Sequence, residues 1–290
     1  MRSALFVVLK WKVVMTECNN ICSLRNSIES YRNAFSAIQR SIGEINPASR
    51  LSVYEKSAEK IESVFRSGFE AGNPVAHESI TALYEMSEIG VVFDAFPNLD
   101  ALGMKESLEH ASKGPVSYNL ERPAGNNSKA RNALFELCVG ARLRCLGLID
   151  FSTVSDVVIT DGDHRYFVEC KRPFSLGSIN SNFGKANSQL VNRFKNRECS
   201  RNVGIIAIDL SKAINPSFDF LVVESVKHVD GVVSQLLGDL TKKHIEYWRA
   251  NAKAGVGFVW LRYAGLVRAE ADNAVVYVQR YAVVGRGSGL

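Results

Sequence analysis

The chain has 290 residues, 46% of them hydrophobic and 22% charged, a balance that suits a soluble globular protein and excludes a disordered, collagenous or membrane-embedded one. Its formal net charge of +5 is uneven: residues 1–125 carry 13 Lys and Arg against 15 Asp and Glu, whereas residues 126–290 carry 22 against 15. A polyanionic partner is therefore expected on the C-terminal half.

In chain order, the opening stretch MRSALFVVLKWKVVM is apolar but interrupted by Lys10 and Lys12. It is too short to span a bilayer and lacks a small-residue cleavage site, so no membrane partner is expected. It reads as an added strand, or as sequence ahead of a start at Met15. From Ile21 the apolar residues Leu24, Ile28, Tyr31, Phe35, Ile38 and Ile42 follow in steps of three and four, the seam of one helix face. Gly43 and Pro47 break it, and Leu51, Tyr54, Ala58, Ile61 and Phe65 repeat the pattern. The spacing predicts an antiparallel helical hairpin over about residues 18–67. Its seam packs either against the rest of the chain or against a second copy, making a homodimer.

Helix is expected over His77–Ser87, a strand in IGVVFDAF (residues 89–96) and a short helix in LGMKESLEHAS (residues 102–112). The polar stretch SYNLERPAGNNSK ends the mainly helical region, placing a domain boundary near residue 125. The second domain, 126–290, opens with a helix from Ser128, a cap residue, to Gly147, a stop. LIDFST and VSDVVIT read as strands, DGDH as a hairpin turn and RYFVECKRP as the returning strand, closed by Pro173. A helix in SNFGKANSQLVNRFKN, a buried strand in NVGIIAIDLS, a long amphipathic helix from Gly231 and two final strands complete the pattern. This is an α/β (α+β) domain around one central sheet. GRGSGL at the C-terminus reads as a tail.

Six cysteines (Cys18, Cys22, Cys138, Cys145, Cys170, Cys199) lack the paired spacings of a zinc site. They fit a reducing, cytoplasmic setting. Asp161, Asp163 and His164 resemble a metal cluster but belong to the turn, where such residues are expected on conformational grounds.

The chemistry concentrates in four positions. Side chains two apart on a strand share a face, so Glu169 and Lys171 stand side by side. The DGDH hairpin returns the chain so that Asp156 arrives next to Glu169. Glu136 lies on the preceding helix. Converging carboxylates repel unless a cation neutralises them, and oxygen donors select a hard divalent ion. The plainer alternative is a salt bridge from Glu169 to Lys171 or Arg172, although apolar flanks make isolated charge costly there.

The run ALFELCVGARL followed by SDVVIT and FVECKRP resembles the PD-(D/E)xK nuclease superfamily, with Asp156 and Glu169-x-Lys171 as the motif and Ser155 where a proline is frequent. The resemblance covers residues 128–210. It implies a restriction-endonuclease-like core, a central mixed sheet flanked by helices, following the helical N-terminal region. It implies a metal-dependent nuclease, most often a DNA endonuclease of restriction, phage defence or repair, using Mg2+ with Mn2+ as a substitute. Asp156, Glu169 and the backbone carbonyl of Cys170 would hold the ion. Lys171 would position the attacking water, and Glu136 would be an accessory ligand or orienting base. Gln189 matches a helix glutamine of one branch, and Arg193 stands where that branch has an aromatic. The alternative is a non-catalytic module that binds nucleic acid or protein on the same fold.

Downstream of the motif, Arg172, Lys185, Arg193, Lys195 and Arg197 are candidate contacts to a nucleic-acid backbone, DNA before RNA. A second basic stretch, Lys242, Lys243 and Arg249 around Tyr247 and Trp248, offers grip and stacking, though the two aromatics read first as core contacts.

Overall fold

The computed structural model describes residues 20–67, 74–99, 101–121, 128–151, 155–194, 202–253 and 255–285. The expected N-terminal strand, the expected boundary near residue 125, the C-terminal tail, and Lys195 and Arg197 lie outside them. The side chains of Ile21, Leu24 and Phe65 also lie outside the described set.

A short strand β1 (Asn20–Ser23) leads into the hairpin, α1 (Leu24–Ile42) and α2 (Arg50–Ser67). Gly43, at φ +87°, ends α1 in the left-handed conformation a glycine adopts without penalty. The seam residues Ile28, Tyr31, Ile38, Leu51, Tyr54, Ala58 and Ile61 are buried. Tyr31 Oη donates to the Leu51 carbonyl at 2.6 Å, tying the two helices together. The seam is covered by this chain's own α3 (Pro74–Ala95) and by the sheet.

The stretch expected as a strand, residues 89–96, instead forms the last turns of α3 and the residue after it. Its buried residues Ile89, Val92 and Phe96 step by three and four. Continuous apolar character, which a strand shares, comes here from a helix packed on several sides. Gly90 sits where α1 crosses closely: a Cβ there would lie 2.8 Å from Ser30 Oγ. The short helix α4 (Met104–Ala111) follows as expected.

The C-terminal part begins with α5 (Lys129–Leu143), with Ser128 at the cap position. Three strands form an antiparallel meander: β2 (Leu148–Asp150), β3 (Val157–Asp161) and β4 (His164–Lys171). Gly162 makes the β3–β4 turn at φ +57°. Helix α6 (Ile179–Phe194) crosses over to β5 (Asn202–Asp209), which pairs parallel with β4. A one-turn helix α7 (Ser211–Ile214) and β6 (Leu221–Val223) come next, neither anticipated from sequence. The long helix α8 (Val229–Asn251) precedes the hairpin of β7 (Val256–Ala269) and β8 (Ala274–Gly285).

The eight strands form one curled mixed sheet in the order β1-β8-β7-β5-β4-β3-β2, with β6 extending the row beside the far end of β7. Strand alternation decides the layers. Tyr166, Val168, Ile205 and Ala207 face the cluster built with α1–α5. Phe167, Ile206 and Ile208 face the cluster built with α6 and α8. Phe183 of α6 stacks against Trp248 of α8 at 6.1 Å in that second layer. Burying each such aromatic contributes about 1.5–3 kcal/mol. Helices thus cover both faces, and the first cluster runs from Ile28 to Tyr281, binding the N-terminal helices and the sheet into one core. Among the described residues no helix is long and apolar enough to cross a membrane.

Candidate active site

By parity Glu169 and Lys171 fall on the same face as Phe167, the face under α6, and the side chains are found there. The β3–β4 register sets Val157 opposite Val168, so Asp156 arrives beside the end of β4. Its Oδ2 accepts the Cys170 backbone N–H at 2.6 Å. This bond pins a carboxylate to the strand that carries the other two motif residues.

Lys171 Nζ stands at the focus. It donates to the Cys170 carbonyl at 2.9 Å and to Glu169 Oε2 at 3.4 Å, and lies 3.8 Å from Asp156 Oδ2. The three oxygens that the nuclease resemblance assigns to a metal therefore converge on one cationic atom. The ammonium stands in for a cation, and the donor set (two carboxylates and a carbonyl) is the hard-oxygen chemistry of Mg2+ or Mn2+. Among the described residues no group of three or more His, Cys, Asp or Glu side chains surrounds a common metal position; the third oxygen here is from the backbone.

The electrostatics are those of an acidic excess. The Glu169 side chain is fully buried. Its carboxyl is raised above the usual range by that burial and by Asp156, while Lys171 and Arg193 oppose the rise. Glu136, on α5, is pushed up to about 8, first by burial, then by Asp156, with Lys171 opposing and Glu169 adding. Three carboxyl groups thus share one field with two cations.

The candidate nucleic-acid contacts divide. Lys185 and Gln189 are exposed and, with Ser181, Gly184 and Ser188 of α6, line an open groove that ends at Lys171. Arg193 lies in the last turn of α6 but turns inward, its Nε 2.6 Å from Glu169 Oε1. Arg172, expected on the phosphate-binding surface, does not reach it. Its side chain is 5% exposed and is gripped by Glu121 at 2.8 Å and Asp209 at 3.3 Å. Tyr118 Oη and Asn132 accept from the same guanidinium. Strand alternation explains the correction: the residue after Lys171 points to the opposite face, into the layer of α1–α5. On α8, Trp248 is core and Tyr247 is 41% exposed. Lys242 pairs with Asp239 and Arg249 with Glu246.

Two participants escape a reading of the motif alone. Ser155 Oγ lies 2.8 Å from the Val168 carbonyl oxygen and 3.2 Å from Glu169 Oε1. Arg193 was visible only as one basic residue among many; its place four residues after Gln189, one helical turn along, is the signal that it shares that side of α6.

No model of a known family, no curated protein and no solved structure matches this chain.

Proposed function

We propose that the chain is a metal-dependent nuclease that hydrolyses phosphodiester bonds of nucleic acid, DNA first, on a restriction-endonuclease-like core. The observation that carries this is the convergence of Asp156, Glu169 and the Cys170 carbonyl on the Lys171 ammonium. The element order supports it as well: helix α5, the meander β2–β4, helix α6 and the parallel strand β5. A structural ion pair alone would not gather a third oxygen donor or a partly buried Glu136 with its carboxyl pushed up to about 8.

Asp156, Glu169 and the Cys170 carbonyl would hold Mg2+ or Mn2+. When bound, the ion supplies positive charge for the phosphoryl oxygens and acidifies the attacking water. Lys171, at the inner end of the groove, orients that water and offsets charge on the phosphate. Glu136, whose carboxyl is pushed up to about 8, would be an accessory ligand or orienting base. Lys185 and Gln189 meet the substrate along the outer face of α6, where contacts to phosphate carry affinity without sequence preference.

Cleavage of supercoiled plasmid, linear duplex, single strands and RNA with Mg2+, Mn2+ or a chelator tests the proposal. Wild type should cut only with metal, and Asp156→Ala and Lys171→Ala should each lose on the order of 10^3-fold in rate while keeping wild-type circular dichroism. Metal-dependent cutting that survives both substitutions would remove the site. Salt-sensitive binding with no cutting of any substrate would instead favour a binding module on this fold.

A further inference from the structure

We propose that Arg193, assisted by Ser155, is a positioning residue that fixes the plane of the Glu169 carboxylate. The role rests on the nuclease reading above. The two oxygens of Glu169 have different partners. Oε1 takes Arg193 Nε at 2.6 Å and lies 3.2 Å from Ser155 Oγ. Oε2 alone faces Lys171, 3.4 Å from its ammonium. A terminal carboxylate torsion is soft, with broad two-fold preferences. Pinning one oxygen leaves the other aimed at the cation position.

The elements make this rigid. Ser155 is anchored to the β4 backbone through the Val168 carbonyl at 2.8 Å. Arg193 comes from the end of α6, so its ion pair also joins that helix to the strand that carries the motif. Its side chain is 24% exposed while that of Glu169 is fully buried. The guanidinium therefore reaches in from the last turn of α6 to a carboxylate that water does not touch. A residue that served a phosphate would be turned the other way. Outer partners of metal-binding carboxylates set ligand orientation, and losing one typically lowers metal affinity or activity 10–100-fold.

The test uses the full chain, freed of metal by chelation. Mn2+ binding is measured by calorimetry for wild type, Arg193→Gln, Arg193→Lys and Ser155→Ala, with melting temperature recorded for each. R193Q should weaken Mn2+ about tenfold or more, and R193K should recover part of that loss by restoring the charge. S155A should weaken it less. Cleavage by R193Q should climb back toward the wild-type rate as Mn2+ is raised, which a merely structural lesion would not produce. DNA affinity without metal, and its salt dependence, should stay as in wild type. R193Q with unchanged Mn2+ affinity but weaker DNA binding and a salt slope shallower by about one would overturn the proposal and return Arg193 to the phosphate surface. A wild type that binds no Mn2+ and cuts nothing would sink the nuclease reading, and this role with it.

Discussion

Two clusters of charge lie at the sheet, one at the end of β4 beside α6 and one under the α1–α5 layer, and they are built on different terms. At the end of β4 beside α6, Asp156 and Glu169 share a field with Lys171, Arg193 and Glu136 of α5, and an open groove along α6 reaches Lys171. On the other face, Glu85 is paired with Arg50 and Arg131, Glu88 with Arg262, and Arg172 with Glu121 and Asp209. There four acids meet four guanidiniums, and Tyr277, Gln279 and Ser211 add hydrogen bonds. The balanced set joins helices α2, α3 and α5 to strands β4, β5 and β7. The unbalanced set makes one such tie, from Arg193 of α6 to Glu169 of β4. More carboxyl groups than cations, next to an opening, distinguish this set; burial and ion pairing alone do not.

The comparison breaks most sharply at Arg172, the neighbour of Lys171 in sequence and its opposite in role. Arg172→Ala leaves Glu121 and Asp209 buried without this partner. Removing one side of a buried pair costs about 3–5 kcal/mol, measured as a lower denaturant midpoint. The salt dependence of DNA binding should not change. If stability holds and the salt slope falls by about one, Arg172 contacts phosphate and the division between the two faces is wrong.

Asp156 gives the opposite sign. After burial, it is the largest cause that raises both Glu136 and Glu169, so the folded protein carries repulsion that the proposed metal site would need. Asp156→Asn should raise stability by about 1 kcal/mol in chelator, as relief of active-site strain commonly does, while abolishing cutting. A destabilised Asp156→Asn would place Asp156 in the balanced, structural class, its bond to the Cys170 N–H outweighing the repulsion.

The site was largely legible in the sequence and the network was not, for one reason. Asp156, Glu169 and Lys171 lie within sixteen residues and are brought together by a hairpin whose turn, Asp161-Gly162, is written in the chain. The two-residue period of a strand then fixes which face each one takes. Glu88 and Arg262 are 174 residues apart, and Arg172 and Glu121 are 51 apart. No local pattern links them; they meet only once the sheet order is known. The same limit explains residues 89–96, where β-branched and aromatic residues suggest a strand and tertiary packing makes helix. It also explains Arg172 and Arg193: composition registers two basic residues, but only the end of β4 and the last turn of α6 decide which way each one points.

The finest probe of the acidic excess is Glu136, because its charge can be changed by pH alone. Its carboxyl is pushed from the ordinary 4.5 to about 8, by burial first and Asp156 second. Below the ordinary value the group is protonated whether the chain is folded or not, and the shift costs nothing. Between that value and about 8 the unfolded chain releases the proton while the folded chain keeps it, so stability falls as pH rises. Above about 8 the loss is complete. Glu136→Gln has no proton to lose and escapes this slope. In chelator, E136Q and wild type should unfold at nearly the same denaturant concentration at pH 5, and E136Q should be more stable by on the order of 1 kcal/mol at pH 8. Added Mn2+ should narrow the gap at pH 8, since a cation relieves the same repulsion. Equal stability of the two proteins at both pH values would separate Glu136 from the field of Asp156 and Glu169, leaving two acids against two cations at the end of β4 and no excess to distinguish that cluster from the other.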